Sequence, residues 1–114
     1  MRMIAQTEFD FSGRALRDQG IAHAVAHADR KVNDWSLLAW LAFERYLGRM
    51  VAGETFQIED FRSSIHGVPD PPSLRAFGFL PKRALKLGLI ESAGTSKVKN
   101  PKAHMANSAV WKKL

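Results

Sequence analysis

The chain has 114 residues, no cysteine and a formal net charge of +6. With 46% hydrophobic residues, this length predicts one globular domain with its own core, and the missing cysteines exclude a disulfide framework and the usual zinc modules. No window approaches the roughly 18 apolar residues of a membrane span, and the first residues lack the apolar run of a signal peptide. We therefore expect a cytoplasmic protein without a membrane partner.

The positive charge is concentrated in the last third of the chain. Residues 1–73 hold eight Lys/Arg and ten Asp/Glu, whereas residues 74–114 hold nine Lys/Arg and one acid, Glu91. Such segregation is expected of a surface that binds a polyanion. A basic face also keeps a small protein soluble, but surfaces that serve only solubility usually mix the two signs.

Residues 1–33 predict an N-terminal helical arm that precedes a main domain at 34–114. In the arm, Ser12 is placed to cap a short helix that Gly20 ends, and the alanine-rich run Ile21–Ala28 predicts a second one. Three roles stay open for this arm, namely packing on its own domain, joining a second subunit or lying against DNA.

His23 and His27 lie four residues apart and so share one face of the second predicted helix. That spacing suits two metal ligands, but no third ligand accompanies them. We interpret them as solvated or half-buried histidines and expect no metal and no other cofactor.

The strongest predicted helix is Trp35–Val51, with Asp34 as its cap and Gly53 marking its end. Apolar residues occupy most of its circumference, which predicts a central helix packed on more than one side. Trp35 and Trp40 need a cover, and the arm is expected to supply it.

A helix-turn-helix is predicted next. After a short extended stretch, Glu54–Gln57, the spacing of apolar residues predicts a helix over Ile58–Ile65. Three prolines make 66–72 a turn. A second helix then covers 73–87, between the cap Ser73 and the helix-ending Gly88.

At 100° per residue, this last helix has an apolar arc and a cationic arc. The apolar arc holds Phe77, Leu80, Ala84 and Leu87, and the cationic arc holds Arg75, Lys82, Arg83 and Lys86. Pro81 interrupts the helix formers, so the helix should kink or begin anew near Leu80. Phe79 would point into the cationic arc of an unbroken helix as a thymine contact or an adaptor anchor, and we favour a third interpretation, in which the kink turns it toward the core.

The remaining residues predict a wing. Leu89-Ile90 and Ala109–Trp111 are apolar runs that can pair as strands, and the loop 94–107 between them is polar and basic. Its candidate DNA contacts are Lys97, Lys99, Asn100, Lys102 and His104. The predicted fold is thus α+β, mostly α: a winged helix-turn-helix with an N-terminal helical extension.

Several loose motifs resemble those of small winged-helix proteins encoded by bacteriophages and prophages. They are Gly-Arg-Ala-Leu-Arg-Asp at 13–18, Phe-Gly at 77–78 in a helix that ends in Leu-x-x-Gly-Leu-Ile at 85–90, and a basic loop with Asn100, Pro101 and His104 before Val110-Trp111. The resemblance covers most of the chain, apart from Leu80-Pro81, where uninterrupted helix formers are expected. It implies a protein of the bacterial host's cytoplasm, encoded among replication or regulatory genes, and no defined activity.

No catalytic chemistry is predicted. The sequence has no Gly-rich phosphate loop, no flanked Ser or Cys nucleophile, and no carboxylate cluster beside the basic segment. We expect a protein that binds double-stranded DNA through the cationic helix and the wing, in transcription regulation or phage replication. The alternative is a winged-helix adaptor with a protein partner or a second copy, which should expose apolar anchors instead of cations.

Overall fold

The computed structural model describes residues 2–65, 67–97 and 107–114, and the side chains of 15–65, 67–96 and 108–114. The chain is α+β and mostly helical. Its elements are α1 (Arg2–Lys31), α2 (Trp35–Gly48), β1 (Thr55–Phe56), α3 (Ile58–Ser64), a 3₁₀ segment (Leu74–Gly78), α4 (Phe79–Lys86), β2 (Ile90–Lys97) and β3 (Asn107–Lys113).

Helix α1 is one continuous helix, so the prediction of two short helices separated at Gly20 is wrong. A glycine inside a helix costs on the order of 1 kcal/mol relative to alanine, and tertiary packing outweighs that cost here. Ala24 and Ala28 are buried in the core shared with α2. The helical arm therefore packs on its own chain. The division of the chain into an arm at 1–33 and a domain at 34–114 stays a prediction.

Helix α2 begins at the predicted residue, but its cap differs from the prediction. Asp34 has a left-handed backbone with φ 60° and its side chain makes no capping hydrogen bond. Asp29 of α1 caps α2 instead, since its two carboxylate oxygens accept hydrogen bonds from the backbone N–H of Ser36 at 2.8 Å and from the Ser36 hydroxyl at 3.0 Å. An acceptor seven residues away in sequence thus satisfies the first turn of α2.

The end of α2 also differs from the prediction. The helix stops at Gly48 and not at Val51. Gly53 has φ 93° and donates its backbone N–H to the carbonyl oxygen of Lys113 at 2.8 Å. It therefore turns the chain toward the sheet and does not terminate the helix.

The core is aromatic and centres on α2. Trp35, Phe43, Phe61, Leu80 and Ile90 are its largest fully buried side chains. The ring centroids of Phe43 and Phe61 lie 5.1 Å apart in an edge-to-face arrangement, which the quadrupoles of the two rings favour. The indole N–H of Trp35 donates to the carbonyl oxygen of Pro69 at 2.8 Å, so the only polar atom of that buried ring is satisfied.

Helix α2 is packed on more than one side, as predicted, because both α1 and α4 contact it. Its outer face is uncovered in the part of the chain that the structure describes: Leu37, Leu38 and Leu41 are exposed. Trp40 is buried, and the guanidinium of Arg83 from α4 lies over its ring.

Helix α3 begins as predicted and ends one residue early, at Ser64. The Asp60 carboxylate accepts a hydrogen bond from the backbone N–H of Gln57 at 2.9 Å, which fixes the start of the helix. The described part of the following turn, 67–72, contains no helix, as its prolines predict.

The sheet has three antiparallel strands in the order β1-β3-β2. Ser92 pairs with Trp111, and Phe56 pairs with the same residue from the other side. The strands that contain the two apolar runs pair with each other as predicted, but the runs themselves do not lie opposite each other, because Ile90 pairs with Lys113. The strands are longer than predicted, because residues 94–97 and 107 belong to β2 and β3 and not to a loop, with a register shift between Ser92 and Thr95 that contains Gly94 at φ 96°.

Candidate nucleic-acid interface

The predicted helix 73–87 is built in two pieces. Ser73 accepts a hydrogen bond from the backbone N–H of Arg75 at 3.3 Å and so starts the 3₁₀ segment, after which α4 begins at Phe79. Pro81 is the third residue of α4, where no intrahelical N–H bond is required. The prediction that the helix begins anew near Leu80 is confirmed.

Helix α1 crosses this two-piece helix at close range. A Cβ atom on Gly78 would lie 2.9 Å from Cδ1 of Ile21, a distance that packed carbon atoms do not adopt. Glycine at 78 therefore permits the crossing. The start of the candidate recognition helix is covered by the chain's own N-terminal helix.

Lys82 reaches α1 as well. Its Nζ lies 3.1 Å from Oδ2 of Asp18, and the two side chains are 58% and 41% exposed. An ion pair this exposed contributes less than about 1 kcal/mol, so a phosphate can replace the carboxylate at little cost. Lys82 is available to an anion although it is paired in the free protein.

Arg83 lies flat on an aromatic ring. Its guanidinium carbon is 4.7 Å from the ring centroid of Trp40, within the range of a cation–π contact. Arg83 is nevertheless exposed as a residue, so solvent or a ligand can reach it. Its predicted place beside Lys82 is retained, but part of its role is structural.

Lys86 is exposed in the last turn of α4 and makes no ion pair with any described residue. The negative end of the helix dipole favours a cation at this position. Lys86 is one turn after Lys82, so the two ammonium groups share the outer edge of α4. We name Lys82, Arg83 and Lys86 the α4 basic edge.

Arg75 does not belong to that edge. It lies beside Gly20 of α1, where a Cβ atom would be 3.6 Å from its guanidinium nitrogen. Gly20 and Asp18, the partner of Lys82, are two residues apart and so point to nearly opposite sides of α1. Helix α1 therefore runs between Arg75 and Lys82, and the single cationic arc predicted from the sequence is divided.

The apolar arc was predicted correctly at three of four positions. Phe77, Leu80 and Ala84 are buried, but Leu87 is 59% exposed because α4 ends at Lys86. Phe79 is half-buried, and its ring centroid lies 6.1 Å from that of Trp35. Our favoured interpretation of Phe79 as a residue turned toward the core is thus supported in part.

The hairpin places its base beside α3. Gln57 Nε2 donates to the carbonyl oxygen of Ser96 at 3.3 Å, and the Ser108 hydroxyl donates to Oε1 of Glu59 at 3.1 Å. Lys97 pairs with Asn107 in the last described register position. The described part of the hairpin is therefore attached to the start of α3.

The structure does not place the predicted contacts of the wing. Lys99, Asn100, Lys102 and His104 lie outside the described residues, as does the side chain of Lys97. Of the two lysines of β3, Lys112 pairs with Glu91 at 3.0 Å, and Lys113 Nζ donates to the carbonyl oxygen of Met50 at 2.9 Å. Lys112 thus links the central strand β3 to β2, and Lys113 links it to the segment that follows α2.

Arg17 and Asp18 of α1 lie beside the crossing of α1 with the 3₁₀ segment and α4, and the sequence did not predict a role for either of them. Within the described part of the chain, no group of three metal-ligating side chains occurs, and His23 and His27 are both exposed. No helix among the described residues is long and apolar enough to cross a membrane. Comparisons of the chain with protein-family models, with curated proteins and with solved structures gave no match.

Proposed function

We propose that the chain is a winged-helix protein of phage or prophage type that binds double-stranded DNA in the bacterial cytoplasm, for transcription regulation or replication. The observation that carries the proposal is the α4 basic edge, which stands next to a two-stranded hairpin on one small domain. In this proposal, both α4 and the hairpin contact DNA without a cofactor.

The order of elements supports the winged-helix part of the proposal. From α2 onward the chain runs helix, strand, helix, helix, strand, strand, and the first strand pairs with the last to give the order β1-β3-β2. In such a domain, the helix before the hairpin enters the major groove and the hairpin lies along the backbone or minor groove. Helix α4 and the β2–β3 hairpin hold these two positions.

The distribution of charge supports DNA as the partner. Residues 74–114 carry nine basic side chains against one acid. That acid, Glu91, is paired with Lys112, so it does not neutralise the α4 basic edge. A duplex approaching α4 meets Lys82 and Lys86 first, and phosphate contacts of this kind supply affinity more than sequence choice.

Helix α1 limits how the duplex docks. Because α1 covers Gly78 and separates Arg75 from Lys82, the start of the helix is not free to enter a groove. In the proposed complex, DNA therefore binds the outer edge of α4 and the hairpin. Arg75 lies outside this interface and is removed from the candidate DNA-binding residues.

Binding of random duplex DNA against salt tests the proposal. Lys82→Ala, Arg83→Ala and Lys86→Ala together should weaken binding and lower the slope of log K against log salt by about 0.9 for each phosphate that the variant no longer neutralises. The matched control replaces Arg30, Arg45 and Arg49, three exposed arginines away from α4, with alanine. Equal effects of the two triple variants would reject the α4 basic edge as the interface.

The wing is tested by its own triple variant. Replacing Lys97, Lys99 and Lys102 with alanine should weaken binding to all duplexes alike, with a lower salt slope, because binding to the phosphate backbone does not depend on sequence. Unchanged affinity and slope in this variant would remove the wing from the interface.

The adaptor remains the second candidate, and one observation favours it. Leu37, Leu38 and Leu41 form an exposed apolar face on α2. An adaptor or a homodimer would bury such anchors. If the salt series shows no DNA binding, while substitution of these leucines by serine abolishes self-association or partner binding, the adaptor function replaces DNA binding.

A further inference from the structure

A groove lies on the side of α1 opposite the Lys82 ion pair. Its volume is about 550 Å³, and α1, the start of α3 and the 3₁₀ segment form its walls. The apolar walls come from Leu16, Ile21, Ile58, Leu74 and Phe77. Gly20 and Gly78 add no side chains, which keeps the groove open between the two crossing segments.

The apolar rim of this groove faces solvent. Leu16 is 66% exposed and Leu74 is 57% exposed, although they stand on opposite walls. Two leucines that flank a concave surface can close on an apolar side chain and so become shielded from water. The groove therefore offers apolar burial that the free chain does not use.

The charge in the groove has one sign. Arg17 lines it from α1 and Arg75 lines it from the 3₁₀ segment, and neither forms an ion pair with a described residue. Arg62 does not line the groove, but its guanidinium carbon lies 5.9 Å from the ring centroid of Phe77, which does. No acid is found among the described residues that line the groove.

The nearest acids in sequence are engaged elsewhere. Asp18, the neighbour of Arg17, pairs with Lys82 on the other side of α1. Glu59, the neighbour of Ile58, accepts a hydrogen bond from Ser108 of the hairpin. The cations of the groove thus lack an internal counter-charge among the described side chains, and an acidic ligand would supply it.

We propose that this groove binds an acidic amphipathic segment of a partner protein, with apolar side chains between Leu16 and Leu74 and carboxylates at Arg17 and Arg75. A helix with leucine-sized residues on one face and Glu or Asp beside them has this chemistry. Duplex DNA fits less well, because five apolar side chains line the surface and a phosphate backbone gains nothing from them. The proposal goes beyond DNA binding, since the α4 basic edge lies on the other side of α1.

The probe is a synthetic leucine- and glutamate-containing peptide of about four helical turns, titrated into the isotopically labelled full chain. The peptide should shift the NMR signals of Ile21, Ile58 and Phe77. A peptide with lysine in place of glutamate should bind at least about tenfold more weakly, as should a peptide with serine in place of leucine.

Two arginine variants separate the groove from general charge attraction. Arg17→Ala with Arg75→Ala should weaken acidic-peptide binding by about tenfold. Arg30→Ala with Arg49→Ala removes the same net charge at distant exposed sites and should leave it nearly unchanged. Equal reductions in the two double variants, or equal binding of the lysine peptide, would overturn the proposal.

A third variant keeps the outcome independent of DNA binding. Leu16→Ser with Leu74→Ser alters two exposed side chains and no charge, so it should abolish peptide binding and leave duplex DNA affinity and its salt slope unchanged. Peptide binding that survives this variant, or peptide-induced shifts confined to α4 or to the leucine face of α2, would reject the groove. Failure of DNA binding alone would reject the proposed function and leave the groove proposal standing.

Discussion

Asp18 of α1 and Lys82 of α4 form an ion pair, with 3.1 Å between Oδ2 and Nζ, across the crossing of the N-terminal helix and the candidate recognition helix. The carboxylate occupies the position at which a phosphate would meet Lys82. It also brings a negative charge to the edge of the proposed DNA interface. In the proposed complex, Asp18 would therefore oppose DNA binding in two ways.

Asp18→Asn should strengthen binding to duplex DNA by about twofold to fivefold at low salt, because it frees Lys82 and removes repulsion of phosphate. Fluorescence anisotropy with a labelled duplex measures this change. Glu44→Gln is the control, since it also removes one exposed negative charge. The same gain in both variants would mean that only net charge matters.

Gly78→Ala should lower the free energy of unfolding by about 1–3 kcal/mol, since the new methyl group overpacks against Ile21. Urea denaturation measures the decrease. The decrease should shrink in an Ile21→Ala background, where the clashing atoms are absent. Gly48→Ala, in a position with no atom within 4 Å of the new Cβ, should not destabilise the protein.

Deleting residues 1–28 should destabilise the protein or make it associate, because the core would lose the cover that Ala24 and Ala28 provide. Thermal unfolding and light scattering report the two outcomes. A soluble monomer with full thermal stability after this deletion would show that residues 1–28 are dispensable and that residues 29–114 fold alone.

Tyr46 should titrate at higher pH in the folded protein than in the unfolded chain. Burial raises the pKa of Tyr46 above its ordinary value of 10.0, and the charges of Asp60 and Glu54 raise it further. The neutral phenol is thus favoured by folding, so this contribution to stability is present below pH 10 and is lost as the pH rises through the folded-state pKa.

The measurement is direct because the chain has one tyrosine. The phenolate absorbance of the native and the urea-unfolded protein, recorded against pH, should show the later midpoint in the native state. Tyr46→Phe should remove part of the alkaline loss of stability. Coincident titration curves would contradict the burial of this side chain.

Features encoded by local periodicity were predicted well from the sequence. The start of α2, the pairing of the two strands that contain Ile90 and Trp111, and the new helix start near Pro81 all follow from patterns within one or two elements. Leu87 was misplaced because α4 ends at Lys86, and Arg75 was misplaced because one helical period was applied across 73–87. A 3₁₀ segment turns 120° per residue, so the phase before Phe79 differs from that of α4.

The placement of α1 could not be predicted from its own residues. Its underside is made of small side chains such as Ala24 and Ala28, whose pattern does not identify the surface that they pack on. The decisive partner is Gly78, which has no side chain to carry a signal in the sequence. The Asp18–Lys82 pair depends on that crossing and was missed for the same reason.

The cap that Asp29 provides couples the end of α1 to the start of α2. Because the carboxylate that holds the first turn of α2 belongs to α1, that turn cannot stay satisfied if the end of α1 unwinds. The amide hydrogen of Ser36 should therefore exchange with solvent only as fast as the last turns of α1 open. A ligand that moves α1 away from α4 would consequently weaken the cap on the first turn of α2. The stability of the aromatic core around α2 would then depend on the position of the N-terminal helix.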